Sequence, residues 1–235
     1  MSENLDLDPF WWEAAPRREL PEAPLPVETD VAVVGSGFAG SSAALVLARA
    51  GRKVTVLEKD RPGEGASSRN GGIASGNLRM TFGTMIKTFG LERAKAIYGE
   101  GMAAREDLKR FVGQENIDCD YQEVGRWTGA NRPKHYDNMA READFLNEHF
   151  DAGAYMVAKA DQHGEIGSDL YFGGQIRADI HGVHPGKLHH GILERAMEAG
   201  VDVQNRTEVT GIRRDGEQFD VATSRGVLKA RNVVV

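Results

Sequence analysis

The stretch that decides the fold is "DVAVVGSGFAGSSAALVLARAGRKVTVLEKD", residues 30–60. Val31, Val33 and Val34 form a short continuous apolar run of the kind a strand buried on both faces requires. Gly35-x-Gly37-x-x-Gly40 follows at once. Ala43, Ala44, Leu45, Leu47 and Ala48 then predict a small-residue helix that Gly51 ends, and Val54 to Leu57 predict a second strand. A right-handed crossover of this type lays the helix on the sheet.

The three glycines have separate physical tasks. The first permits the tight turn, the second lets the backbone approach a pyrophosphate, and the third lets helix and strand pack closely. The N-terminus of the helix adds free N–H groups and a partial positive charge. Glu58 closes the second strand 23 positions after Gly35, where a carboxylate accepts ribose hydroxyls and repels a 2'-phosphate. The unit therefore reads as an ADP-binding half common to NAD and FAD.

"RPGEGASSRNGG", residues 61–72, separates those two. An NAD enzyme has no special use for a polar, glycine-rich segment here. An extended FAD does, because its ribityl chain and ring must be held by backbone N–H groups and small hydroxyls. Gly65, Gly71 and Gly72 allow close backbone, Ser67 can hydrogen-bond, and Arg69 can bring charge near the ring.

Outward from this core, residues 1–27 contain five of the eight prolines together with Trp11 and Trp12, and read as an extended arm pinned by its tryptophans. From Thr81 to Val157 the spacing of Leu91, Ala94, Ile97, Leu108, Phe111, Met139, Ala143, Leu146 and Phe150 is helical. "SDLYFGGQIRADI" reads as a strand with a glycine break, and "PGKLHHGILERAMEAG" as a helix ended by Gly200. Strands follow, joined by turns at Asp215-Gly216 and Arg225-Gly226. Val233 to Val235 read as half of a buried strand, so the sequence is taken as the N-terminal portion of a longer protein.

The chain has 235 residues, is 27% charged and carries a formal net charge of -6. That balance argues against nucleic acid or an anionic membrane as the main partner and favours small-molecule chemistry. A single cysteine, Cys119, allows no intrachain disulfide and fits a reducing compartment, and no apolar run reaches membrane-span length. The expected setting is cytoplasmic. Cys119 lies between two aspartates, which disfavours a thiolate nucleophile. His184, His189 and His190 lack a ligand spacing and read as solvated or capping, so no metal is expected. Tyr171 and Phe172 read equally as cavity wall or ordinary strand.

Together, "VVGSGFAGSSAALVLARAG", "VLEKD", "GASSRNGG", "GSDLYFGG", "HPGKL" and "GVDVQNRTEVTGI" resemble the FAD-dependent D-amino acid oxidase superfamily, most of all its gamma-glutamylputrescine oxidase and glycine oxidase-like branch. The resemblance spans nearly the whole chain. It implies an α/β fold, a Rossmann-like FAD-binding domain with an inserted α+β substrate domain, truncated at the C-terminus. The implied division is an arm at 1–27, FAD-binding segments at 28–80 and 181–235, and a substrate domain at 81–180. Gly35, Gly37 and Gly40, with Phe38 and Ala39, would hold the pyrophosphate. Glu58, beside Lys59, would hold the adenosine ribose, and Val209 would meet the adenine through its backbone. Ala66, Ser67, Arg69, Asn70, Gly71 and Gly72 would lie along the flavin. Relatives with covalent flavin carry a histidine near Arg69-Asn70 or a cysteine in the later half; this chain has neither within view, so noncovalent FAD is implied. The implied chemistry is oxidation of an amine or amino-acid C–N bond by hydride transfer, with oxygen or a quinone as electron acceptor. No catalytic residue is assigned. An NAD-dependent dehydrogenase and a noncatalytic FAD-binding subunit are the alternatives.

Overall fold

The computed structural model describes residues 8–235. In chain order the elements are α1 (Trp11–Ala14), β1 (Glu28–Val34), α2 (Phe38–Arg49), β2 (Val54–Leu57), β3 (Ile73–Ala74), α3 (Phe82–Phe89) and α4 (Leu91–Gln114). They continue as β4 (Arg126–Gly129), α5 (Pro133–Phe150), β5 (Ala154–Val157), β6 (Gly174–Arg177), β7 (His181–Gly182) and α6 (Pro185–Glu198). Three final strands and their predecessor close the chain: β8 (Asp202–Gln204), β9 (Val209–Asp215), β10 (Gln218–Thr223) and β11 (Gly226–Val234).

The chain divides into two compact units. The first comprises the residues up to Gly71, Glu115–Cys119 and His184–Val235. Its six-stranded sheet has the order β8-β2-β1-β11-β10-β9. The first four strands run parallel, with Val31 opposite Val54 and Asn232, and β10 and β9 continue the sheet antiparallel. Ala32, Leu57, Val221, Leu228 and Ala230 form a core cluster that Leu25, Val209, Phe219 and Val233 cover. Helix α2 packs against β1, β2 and α6. Helix α6 buries Leu188, Ile192, Leu193 and Ala196, opens with Pro185, and is followed by Gly200 at φ +90°. This is the α/β fold expected, with both turn predictions realised as hairpins at Gly216 and Gly226.

The second unit comprises Gly72–Gln114 and Asp120–Val183. It holds the antiparallel sheet β4-β6-β5, the ribbon β3-β7, and helices α3, α4 and α5. Arg177 grips Asp179 with two bonds of 2.6 and 2.7 Å, both side chains buried, and the Tyr98 hydroxyl donates to the same carboxylate. Phe82, Tyr98 and Phe150 stack beside this cluster.

Several local expectations need correction. The arm contains a one-turn helix, α1, because Trp12 N–H reaches back to the Pro9 carbonyl at 2.9 Å and Ala15 N–H to that of Trp11 at 3.0 Å. The stretch read as helical is interrupted by β4 and β5, both recruited by pairing with β6. The strand read across "SDLYFGGQIRADI" is confined to β6, since Gly173 turns at φ +79°. Gly174 is needed there: a Cβ would lie 2.5 Å from the Thr128 carbonyl oxygen. Val235 is exposed rather than buried.

Leu228 is fully buried in the sheet core. Leu228→Ala should lower the stability of the chain by about 2–5 kcal/mol, read as a shift of the urea midpoint, because it leaves a cavity the rigid sheet cannot close.

Candidate functional site

Strand β1 delivers the chain to Gly35, which takes φ +90° and donates its N–H to the Leu57 carbonyl at 2.9 Å. Only glycine adopts that backbone without strain. Gly40 is constrained more severely. A Cβ on it would stand 2.0 Å from the Gly35 carbonyl oxygen. The third glycine thus sets how closely α2 can follow the turn.

Ser36 occupies the middle of the turn and is buried. Its N–H and hydroxyl both donate to Glu58 Oε2, at 2.8 and 2.7 Å. Its carbonyl accepts from Ser41 Oγ at 2.8 Å and from His189 Nε2 at 2.7 Å. One residue thereby joins the turn to the end of β2, to α2 and to α6. Asp60 N–H donates to Glu58 Oε1 at 3.1 Å. Three of the roughly four acceptor positions on the carboxylate are filled, leaving one for an incoming hydroxyl.

At the start of α2 the capping residue is Gly37, which has no side chain to offer. Ser67 substitutes for one: its Oγ accepts the Phe38 N–H at 3.0 Å. A small acceptor from the 61–72 stretch therefore already stands where a helix N-terminus attracts anions.

Around these groups lies a cavity of about 320 Å³, lined by Gly35, Ser36 and Gly37, by Glu58, Lys59 and Asp60, by Gly63, Gly65 and Ser67, and by His189, Glu208 and Val209. It sits at the carboxyl ends of parallel strands β1 and β2, where open α/β sheets bind ligands. Of the cofactor residues singled out in the sequence, Gly35, Gly37, Glu58, Lys59, Gly65, Ser67 and Val209 share this cavity. Phe38, Ala39 and Gly40 form the first turn of α2. Ala66 opens a short 3-10 turn, Asn70 Nδ2 donates to the carbonyls of Ala66 and Ser67, and Arg69 lies over the Trp12 ring at 5.7 Å. Gly71 is exposed, and Gly72, at φ +65°, accepts from Val183 N–H at 2.8 Å.

His189 is the residue the sequence reading misjudged, since it is neither solvated nor a cap. A carbonyl can only accept, so Nε2 carries the proton, while the buried Nδ1 has no partner among the described residues. Burial pushes the imidazole below the ordinary histidine value, with the Ser36 carbonyl and the Glu58 carboxylate opposing. The signal was Leu193, four residues on and fully buried, which puts His189 on an apolar helix face. His190 is half-buried and pushed down to about 4, chiefly by burial. His184 does cap α6, its Nδ1 accepting the Lys187 N–H at 3.2 Å.

A glycine turn between parallel strand and helix, an acid closing the next strand and a cavity across both strand ends define a dinucleotide-binding protein of the Rossmann class. The chain belongs to the FAD dependent oxidoreductase family, whose profile matches residues 30–235. It is 31% identical over 219 residues to the gamma-glutamylputrescine oxidoreductase of Escherichia coli (strain K12), covering 89% of this chain and 49% of that protein. It is 28% identical over 209 residues to the probable oxidoreductase OrdL of Haemophilus influenzae, covering 88% and 48%. The chain thus spans about half the length of the curated relatives it matches. Among solved structures, glycine oxidase from Geobacillus kaustophilus shares the fold with a TM-score of 0.69 at 23% identity, over 88% of this chain and 55% of that one. FAD, rather than NAD, is the cofactor of this family. The residues fit its ADP half: a cradle that a Cβ at Gly40 would fill, a helix start without its own cap, and a carboxylate with one free acceptor position.

Two outcomes follow. Gly40→Ala must push α2 off the turn, so it should abolish FAD uptake and lower the melting midpoint; uptake equal to wild type would contradict the cradle. His189 is neutral in the folded chain and has a depressed folded value, so its effect on stability is constant above about pH 6.5. Below that the unfolded chain takes up a proton that the folded chain refuses, and stability falls until the depressed value is passed. His189→Gln keeps a donor for Ser36 and cannot titrate, so its melting midpoint should fall less than wild type between neutral and acidic pH.

Proposed function

We propose that this chain binds FAD noncovalently and forms part of an enzyme that oxidises a C–N bond of an amine or amino acid, of the gamma-glutamylputrescine or the D-amino acid and glycine-like kind. The observation that carries the reading is the convergence of the capless α2 start, the Ser67 hydroxyl and the Glu58 carboxylate on one cavity, in a chain matched by the family over residues 30–235. The name of the Escherichia coli relative, a gamma-glutamylputrescine oxidoreductase, supports an amine substrate. When bound, FAD would supply the hydride acceptor, with oxygen or a quinone as the final electron acceptor.

The chain's own residues then bind and orient. Amides at the start of α2 would hold the pyrophosphate, with Gly35, Gly37 and Gly40 keeping side chains out of its way. Glu58 takes a ribose hydroxyl on its free acceptor position, and its charge repels a 2'-phosphate. Val209 would present backbone to the adenine, while Arg69, Asn70, Gly71 and Gly72 would hold the flavin. A charge near the ring edge from Arg69 would favour the reduced anionic state. Oxidation itself demands little acid–base machinery beyond a substrate amine held neutral with its C–H over the ring. The proposed setting is the cytoplasm, and no helix among the described residues is long and apolar enough to cross a membrane.

The purified protein should show a flavin absorption spectrum, and acid precipitation should release the colour to the supernatant. Colour that stays with the pellet would overturn noncovalent binding. A protein that remains colourless after incubation with FAD would overturn the cofactor assignment. Anaerobic addition of amines should bleach the bound flavin with the true substrate class.

A further inference from the structure

The arm that precedes β1 touches α6 through Arg18 and Glu194 and the end of β8 through Gln204 and Asn205, and its two tryptophans reach the loop of residues 61–72. Trp12 is buried, and its indole N–H donates to Ser68 Oγ at 2.8 Å. The Ser68 hydroxyl donates onward to the Gly63 carbonyl. Trp11 donates its indole N–H to the Asn70 carbonyl at 2.8 Å. Arg17 lies over the Trp12 ring at 4.0 Å and pairs with Glu64 at 2.7 Å. Apart from the Arg17–Trp12 contact, these interactions end within residues 61–72, the stretch that also supplies Ser67 to the start of α2.

That stretch contains no strand, only a 3-10 turn at Ala66–Ser68. A loop of glycines and small polar residues has little apolar surface with which to fix itself, and each ordered residue costs backbone entropy. Ser67 and Ser68 are consecutive in the 3-10 turn. Ser68 is held on the arm side, by Trp12, and Ser67 on the helix side, by Phe38 N–H. A displacement of Ser68 therefore moves Ser67 as well.

We infer that Trp12, with Trp11 as a second anchor, is a positioning residue for cofactor binding: its indole N–H fixes Ser68 and so holds the Ser67 hydroxyl at the anion-attracting end of α2. The inference rests on the FAD reading above and assigns the arm a role in affinity rather than in stability alone. The arm touches the far side of the loop; its effect passes through the serine pair.

The test is a titration of the chain with FAD, followed by quenching of flavin fluorescence and by the visible difference spectrum. Trp12→Phe keeps an aromatic ring beside Arg17 and deletes the N–H together with the fused five-membered ring. Leaving the buried Ser68 oxygen short of a donor should weaken FAD binding about tenfold. Ser68→Ala should weaken it similarly, and the double variant should be no weaker than the worse single one, because both changes break the same link. Additive losses would overturn the route through Ser68. Wild-type affinity in Trp12→Phe, or a lower melting midpoint with unchanged affinity, would overturn the inference and leave the FAD reading standing. A wild-type chain that takes up no FAD would overturn the cofactor reading, and this inference with it. Should Trp12→Phe not fold, Ser68→Ala, which removes the acceptor and leaves the indole in place, makes the same prediction with the same readouts.

Discussion

The close approach of α2 to the end of β1 is the constraint on which the first unit depends. A Cβ at Gly40 would fall 2.0 Å from the Gly35 carbonyl oxygen, so the helix can begin there only as glycine. Once it does, the Ser36 peptide lies where all of its polar groups are used: carbonyl to Ser41 and His189, N–H and hydroxyl to Glu58. Each bond contributes about 1 kcal/mol on its own. Their joint effect is geometric, because a buried peptide with every group satisfied has one orientation rather than several. The turn, the neighbouring strand and two helices are positioned relative to one another by that single residue.

This explains which parts of the fold could be read in the sequence. The strand, turn, helix and strand of residues 31–57 were legible because each is set by a local pattern: continuous valines, spaced glycines, small helical residues. The hairpins at Gly216 and Gly226 and the helix from Pro185 were legible for the same reason. Strands β4 and β5 were not, although Trp127, Thr128, Tyr155 and Val157 have strand preference. They are strands because β6 lies between them, a fact about residues far along the chain. His189 escaped for a related cause. Its neighbour His190 is half-buried and His184 is a cap, and only the packing of α6 on α2 separates the three. The tryptophans were correctly read as anchors of the arm, but nothing local to them indicates that they anchor it to Ser68 and Asn70.

The two units are ordered by different physics. In the first, the site is made mainly of backbone: amides at a helix start, carbonyls at strand ends, glycines that keep side chains away. Such a site needs few particular side chains beyond its glycines and Glu58. In the second, the core is organised by side chains of high cost. Arg177 and Asp179 are both buried, and their pairing is tolerable because the fork is met by two carboxylate bonds and the Tyr98 hydroxyl completes the shell. Burial and the adjacent carboxylate raise the Tyr98 phenol, so it stays a donor at neutral pH and the cluster remains satisfied. A site built from backbone can bind the same cofactor in many sequences. A core built from paired charges ties its shape to specific residues, so relatives that keep one cofactor can differ in the unit that carries the side chains.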